Sequence, residues 1–541
     1  MNARVVIAVT AVIAALPVVV GAGAARADFI DHFARGDDIG TLKVPRTGTT
    51  HVLVVPVIID DLPFEGGSEQ SFLDDVNGFY AEDNATWGLT PYYTTMSLGR
   101  YHPVATVAAP VHFPTCPPMG QYQDCAIPRG AGLPSGDVQG ALAALTDAIT
   151  FIDQVMRCAT NGPAPELACT AGGGVRIHEF DTSGPVEGTP DGVADGVILV
   201  SNAGFPGIAL PVRDLTTGIL SFLGPFPSLT YDGVIVGQVA IAGREVLPAH
   251  ATFVSAHEFG HLLGWCDLYN DKGTTSDMPY TLMGGWYYQD PGSLVDGYSR
   301  MAAGYAHVVQ AAKSGTYDLE PSDASGTILK VGTGDEFFTV ELRRKVDGKL
   351  DGDMTVPFGV IVERVRLQKR PSATHGSYTN TLANCANCTQ FDTFLSIEQA
   401  DKAFDLDNGR GRDDAHDLFQ AGDEIGPSDD VQPRSAAHQV FSSNRLDGTA
   451  TGLRIRVVDA TADHATIDVT TDDVADPCAE IAPYCGKLTC SDGECGKVIP
   501  PPPVVTPPVA SCTCATSSPL DAGALALCAL ALRRRRRVLT S

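Results

Sequence analysis

His257, Glu258 and His261 fall within five residues of one another, and Asp267 follows six positions after the second histidine. Histidines four apart on a helix project from one face a turn apart, a separation that a single zinc ion bridges. Glu258, beside the first histidine, reaches a zinc-bound water without being a ligand, and as general base takes its proton when that water attacks a carbonyl. Zinc lowers the pKa of its water to roughly 7 and polarises the carbonyl, provided one coordination position stays open. Three protein ligands leave that position open. The third is expected to be Asp267, because Gly264 can adopt the positive φ that ends a helix and turns the chain back toward the metal. An ordinary amphipathic helix with two unrelated histidines is the competing reading. Gly264, Asp267 and the downstream pair Met283-Gly284 weigh against it.

The elements that must carry this site follow from period and punctuation. Residues 249–263 lack proline and end at a glycine, so they are expected to be the helix bearing both histidines. Apolar runs at 51–59, 196–201 and 233–242 read as strands, several too continuous to be half exposed. Residues 71–82 and 136–156 read as helices. From about 317 to 469 the texture changes to short alternating runs such as 337–342, 359–365 and 453–458, which predict an antiparallel, sandwich-like β domain.

Several runs carry a resemblance. HEFGHLLGWCDLYN, the following TLMGGW and the earlier DGVADGVILVSNAG together resemble the immune inhibitor A family of secreted bacterial zinc metallopeptidases. HVLVVPVIIDD, SLGRYHPVATV, EFFTVELRRKVDG and DLFQAGDEIGP resemble stretches of that family in the same order, so the likeness spans roughly residues 50–430. It implies His257, His261 and Asp267 as zinc ligands, Glu258 as general base and Met283 as the methionine of a tight turn beneath the metal. It also implies protein or peptide substrates and an α+β, zincin-like catalytic domain. The chain departs from the family at Trp265-Cys266, where an apolar residue and a proline are common; a thiolate there could compete for zinc, although a small buried residue is the simpler reading. Tyr280, Tyr287 and Tyr298 are candidates to hydrogen-bond the oxyanion, with nothing in the sequence to select one.

The ends of the chain suggest where this chemistry happens. Residues 1–27 have the layout of a secretory signal: Arg4, an apolar run, and Ala25-Arg26-Ala27 at the cleavage position. Near the other end, Cys512 and Cys514 precede a short apolar segment and the run Arg533 to Arg537, which resembles a MYXO-CTERM-type sorting tail. The apolar segment is too short for a comfortable membrane span. Contact with a membrane is therefore expected only through this tail, the export and sorting machinery are expected partners, and the protein is expected to be secreted or displayed at the cell surface. A net charge of -27 argues against nucleic acid as a partner. The expected organisation is a signal peptide (1–27), a catalytic domain (28–316), a β domain (317–475), a Cys- and Pro-rich linker (476–511) and a sorting tail (512–541).

Fourteen cysteines in an exported chain predict disulfides. Local pairs are natural: Cys116 with Cys125, Cys158 with Cys169, Cys385 with Cys388, and two bridges among Cys478, Cys485, Cys490 and Cys495, for which a zinc knuckle is the alternative. Two acidic stretches are candidate calcium sites: Glu187, Asp191 and Asp195 in a Gly-rich turn, and Asp405, Asp407, Asp413 and Asp414 around Asn408-Gly409. Both also read as ordinary solvated turns. The expected function is an exported zinc endopeptidase. Against it stand a surface-displayed binding or adhesion module on an inactive protease fold, which would have no use for Glu258, and a zinc hydrolase acting on something other than protein.

Overall fold

The computed structural model describes residues 46–496, apart from 65–66, 81–87, 116–137, 164, 185–187, 204–207, 211–228, 244–250, 266–267, 269–279, 285–291, 368–394, 407–413, 415, 436–437 and 487. Strand β1, Gly48–Ile59, is buried along both faces from Val52 onward, as only a strand covered on both sides can be. It pairs in parallel with β2 (Tyr101–Val107), β3 (Val111–Phe113) and β4 (Val197–Ser201). Beyond β4 come β8 (Val239–Gly243), parallel, and the antiparallel edge strand β5 (Ile208–Leu210). Pro56 sits in the middle of β1, yet it breaks nothing. The β2 pairing ends at Val54 and the β3 pairing begins at Val57, so the missing N–H falls in the gap between them.

Alternate residues of β1 feed two cores. Val52, Val54 and Ile58 pack with helices α1 (Glu69–Tyr80), α2 (Leu89–Met96) and α4 (Ala251–Leu262). Leu53, Val55, Val57 and Ile59 face α3 (Val138–Asn161). The run at 233–242, expected as one strand, is two. Asp232 and Gly233 both take positive φ (52° and 84°) and turn a small hairpin between β6 (Thr230–Tyr231) and β7 (Val234–Ile235), the geometry an Asp-Gly pair favours. The chain re-enters the large sheet only at Val239.

After α5 (Gly297–Ala302) the chain builds two further sheets. One runs β14-β13-β12-β11-β9-β19-β18 and the other β10-β17-β16-β15. Their strands are β9 (His307–Gln310), β10 (Gly315–Leu319), β11 (Thr327–Val331), β12 (Glu336–Arg344), β13 (Phe358–Arg366), β14 (Leu395–Ile397), β15 (Glu424–Ile425), β16 (Arg454–Ala460), β17 (Ala465–Thr470), β18 (Cys490–Ser491) and β19 (Glu494–Cys495). Short helices α6 (Ser322–Ser325) and α7 (Pro477–Ile481) lie between. Val340, Leu342, Val360 and Val362 of the first sheet share a core with Ile455, Val457, Ile467 and Val469 of the second. Pairing is antiparallel except between β9 and β11. The chain is thus a mixed α/β protein with several sheets and few helices.

At two of the expected boundaries, 316 and 476, the packing is continuous. The opposite face of the larger downstream sheet, with Phe337, Ile361 and Val365, belongs to the same apolar cluster as α4, so no gap in the core opens at residue 316. The cysteine-rich stretch expected to begin a linker at 476 is built into the fold. Bridges Cys478–Cys490 and Cys485–Cys495 close it, β19 pairs with β9, and Ile481, Cys485 and Cys495 are buried. The buried Ile481, Cys485 and Cys495, the two cross-links and the pairing with β9 dock it, although its polar composition offers little apolar surface to bury. The bridge Cys158–Cys169 forms as expected. The pairs Cys116–Cys125 and Cys385–Cys388, the signal segment and the sorting tail lie outside the described residues. Among the described residues no helix is long and apolar enough to cross a membrane.

Candidate metal centre

Helix α4 carries His257, Glu258 and His261, all buried. It stops where the sequence predicts. Gly264 takes φ 89°, the Gly264 amide donates to the His261 carbonyl (2.8 Å) and the Trp265 amide to the Gly260 carbonyl (3.1 Å), the paired bonds of a Schellman motif. This turn also serves the site. It aims the Trp265 carbonyl at His261, whose Nδ1 donates to it at 2.8 Å. His257 Nδ1 donates in the same way to the Leu282 carbonyl at 3.0 Å. A carbonyl oxygen only accepts, so both neutral rings carry their proton on Nδ1 and keep the Nε2 lone pair for a metal. The ring centroids are 4.8 Å apart. This donor pair fits zinc, which takes neutral imidazole nitrogen.

Met283 lies in a short 3-10 turn, Leu282–Gly284, directly against α4. A Cβ added at Gly260 would come within 3.0 Å of Met283 Sδ and 2.9 Å of Trp265 Cε3, which explains why glycine stands between the two histidines. The Leu268 amide donates to the Met283 carbonyl (2.8 Å), tying the segment after the helix to this turn. Gly260→Ala is expected to cost a net 1–2 kcal/mol or thereabouts, since overpacking outweighs the roughly 1 kcal/mol alanine gains in a helix. Urea denaturation of the variant checks this, and an unchanged or raised midpoint would contradict it.

Aromatic side chains that the sequence gave no reason to single out hold α4 in place. Tyr93 donates its hydroxyl to the Ala256 carbonyl (2.6 Å) and packs against Phe259 and Trp265. Tyr80 donates to Ser255 Oγ (2.8 Å). Burial first, and the nearby charge of Glu258 as well, push the Tyr80 phenol well above its usual range, so it stays a neutral donor. Of the tyrosines considered for the oxyanion, Tyr280 donates to Asp417 (3.3 Å) and Tyr298 packs edge-on against Tyr484. Tyr287 lies outside the described residues, as do Cys266 and Asp267.

Beneath the Met283 turn lies a buried set of charges from α5, β12, β13 and the loop after β12. Arg343 holds Asp351 through two bonds of 2.6 Å and Glu341 through one of 3.0 Å. Arg300 reaches the other oxygen of Glu341. Asp296 caps α5 by accepting from the Ser299 amide (2.7 Å) and accepts from Thr281 Oγ1 (3.2 Å). Glu363 accepts from the Gly297 amide (3.0 Å) and Thr339 Oγ1 (2.6 Å). Burial, with the charges of Asp296 and Glu341 adding to it, pushes the Glu363 carboxyl up to about 8. Glu341 goes the other way: the adjacent Arg300 and Arg343 guanidiniums overcome its burial and hold it below the usual carboxylate range.

The acidic stretches are used differently. Asp195 is buried and accepts from the amides of His51 (3.1 Å), Thr182 (3.2 Å) and Ser183 (3.1 Å) and from the Thr182 hydroxyl (2.5 Å). It anchors the loop onto β1. Asp191 is exposed and bonds the Val193 amide in a local turn, while Glu187 lies outside the described residues. In the second stretch Asp414 donates its amide to Asp417, whose carboxyl burial pushes up to about 6; Asp407 and Asp413 are not among the described residues. Among those residues no group of three His, Cys, Asp or Glu side chains is arranged to hold a metal. No protein-family model and no curated protein matches this chain.

Proposed function

We propose that this chain is an exported zinc endopeptidase with a zincin-like catalytic layer, as its resemblance to the immune inhibitor A family implies. The observation that carries the reading is the pair of Nδ1–H bonds to the Leu282 and Trp265 carbonyls, which orient two histidines one helical turn apart for a shared metal. His257 and His261 would hold zinc, with Asp267 as the third ligand. Zinc, when bound, supplies Lewis acidity toward water and the scissile carbonyl. The Glu258 carboxylate takes the proton of the attacking water and returns it to the leaving amine nitrogen. Burial of Glu258 within the helix row keeps bulk water from competing for that proton. Among the described residues strand β5 is the last of the sheet, against α4, and an edge strand is where an extended peptide adds by main-chain hydrogen bonds. Three disulfides among the described residues support a life in an oxidising compartment.

Metal removal tests the reading. Cleavage of an unfolded protein is expected to disappear on dialysis against a chelator and to return with stoichiometric zinc. Cleavage that persists in the metal-free chain would exclude the proposed chemistry.

A further inference from the structure

We infer that Arg343, on the strand β12 far downstream in sequence, is a positioning residue for the metal centre, acting through the turn that orients His257. This inference rests on the zinc reading above for its purpose, though not for its geometry. Leu282 is the link. Its carbonyl accepts the His257 Nδ1 proton, and its amide donates to the Leu294 carbonyl at 3.2 Å. Arg343 Nη2 donates to the Tyr280 carbonyl at 3.0 Å and reaches the Leu294 carbonyl at 3.5 Å. One guanidinium nitrogen therefore bridges the turn that carries Leu282 and the segment to which the Leu282 amide is bonded.

Asp351 completes the grip. It binds Arg343 in a two-pronged pair and accepts from the Leu294 amide at 2.9 Å, so the Arg343–Asp351 pair engages both polar groups of Leu294. Asp351 does this at φ 63°, a left-handed conformation that costs a non-glycine residue and persists only where the surroundings impose it. Both side chains are about 1 % exposed. Lysine cannot replace arginine here, because its single ammonium lacks the fork that meets Asp351 and two carbonyls together. Without that fork the 280–284 turn loses its fixed distance to α4, and the carbonyl that sets the His257 tautomer drifts.

The test uses the full chain as Arg343→Lys, with Asp351→Asn as a second variant should the first fail to fold, and Arg364→Lys as control. Arg364 is as buried as Arg343, but its fork binds Glu398, Glu336 and the carbonyls of Ser442 and Asn444, none of them near the turn. Two quantities are read: the affinity for zinc by chelator competition, and the ring nitrogen shifts of His257 in the metal-free chain. Zinc affinity lower by about 10- to 100-fold, with a mixture of imidazole tautomers replacing the single Nδ1–H form, is expected for Arg343→Lys and not for the control. Equal loss in the control, or an unchanged tautomer in both Arg343→Lys and Asp351→Asn, would overturn the inference. A wild-type chain that binds no zinc would instead remove the endopeptidase reading, and the tautomer measurement would still decide the role of Arg343.

Discussion

Glu258→Gln is expected to slow hydrolysis of an unfolded protein by about 10²- to 10⁴-fold while leaving the zinc content unchanged. The substitution keeps volume, helix position and hydrogen-bonding capacity, and removes only the ability to accept a proton. Glu258 is 3 % exposed beside two histidines whose Nδ1 atoms are already engaged by backbone. An amide there leaves those bonds as they are, so the histidine pair stays oriented for metal. Paired assays of cleavage rate and bound zinc read the outcome. Loss of zinc together with activity would make Glu258 a ligand, and undiminished cleavage would remove it from the chemistry.

The second large effect is a pH dependence of stability. Glu363 has its carboxyl raised from the ordinary 4.5 to about 8, chiefly by burial and then by Asp296 and Glu341. Between those limits the folded chain keeps a proton that the unfolded chain has released. The folded state binds more protons there, so stability falls as pH rises from about 4.5 to 8, by on the order of a few kcal/mol, and levels off above. Asp296, also raised by burial, acts with the same sign. Asp417 does too, but its window closes at about 6. Glu341 and Glu398, held low by Arg300, Arg343, Arg364 and Arg434, act with the opposite sign and only in acid. The slope between pH 6 and 8 therefore carries the Glu363 contribution without that of Asp417. Glu363→Gln should flatten it, at a constant cost, because the new amide group would face the Tyr298 N–H that the carboxyl now accepts. Urea midpoints for both chains across pH 5–9 check this, and parallel slopes would rule it out.

How far the sequence could be read depended on whether a signal was local. The helix bearing His257 and His261, and its stop at Gly264, were legible because capping chemistry lies within a few residues. The strand at 51–59 was legible through its unbroken apolar run. The hairpin turn at Asp232-Gly233, where the expected strand at 233–242 begins, was also written locally. The buried charges were not legible. Glu341 and Arg343 alternate with apolar residues along β12 and share a face with Glu363 of β13, a pattern that reads as a wet face, while Arg364, next in sequence to Glu363, lies on the other face. Both faces are covered instead, the first by the chain at Tyr280 and Gly297, which meets Arg343 and Glu363, and the second by the 442–444 segment, which meets Arg364. Period alone cannot tell water from a second layer. Likewise the carbonyls of Leu282 and Trp265 carry no side-chain signature, so the groups that orient the histidines were invisible before the fold was seen.

The docking of β19 onto β9 also constrains the order of events as the chain emerges. Val309 lies in the middle of the molecule by sequence, and its partner Glu494 comes near the end of the described chain. The larger downstream sheet thus cannot close until almost everything else has appeared, and so distant a contact is reached slowly. Until then one edge of β9 stays bare, open to mispairing with other chains. Two cystines lie wholly within the segment that carries β19 and restrict it without help from the rest of the chain. A segment cross-linked to itself has fewer conformations to search in closing that edge than a loose strand would have.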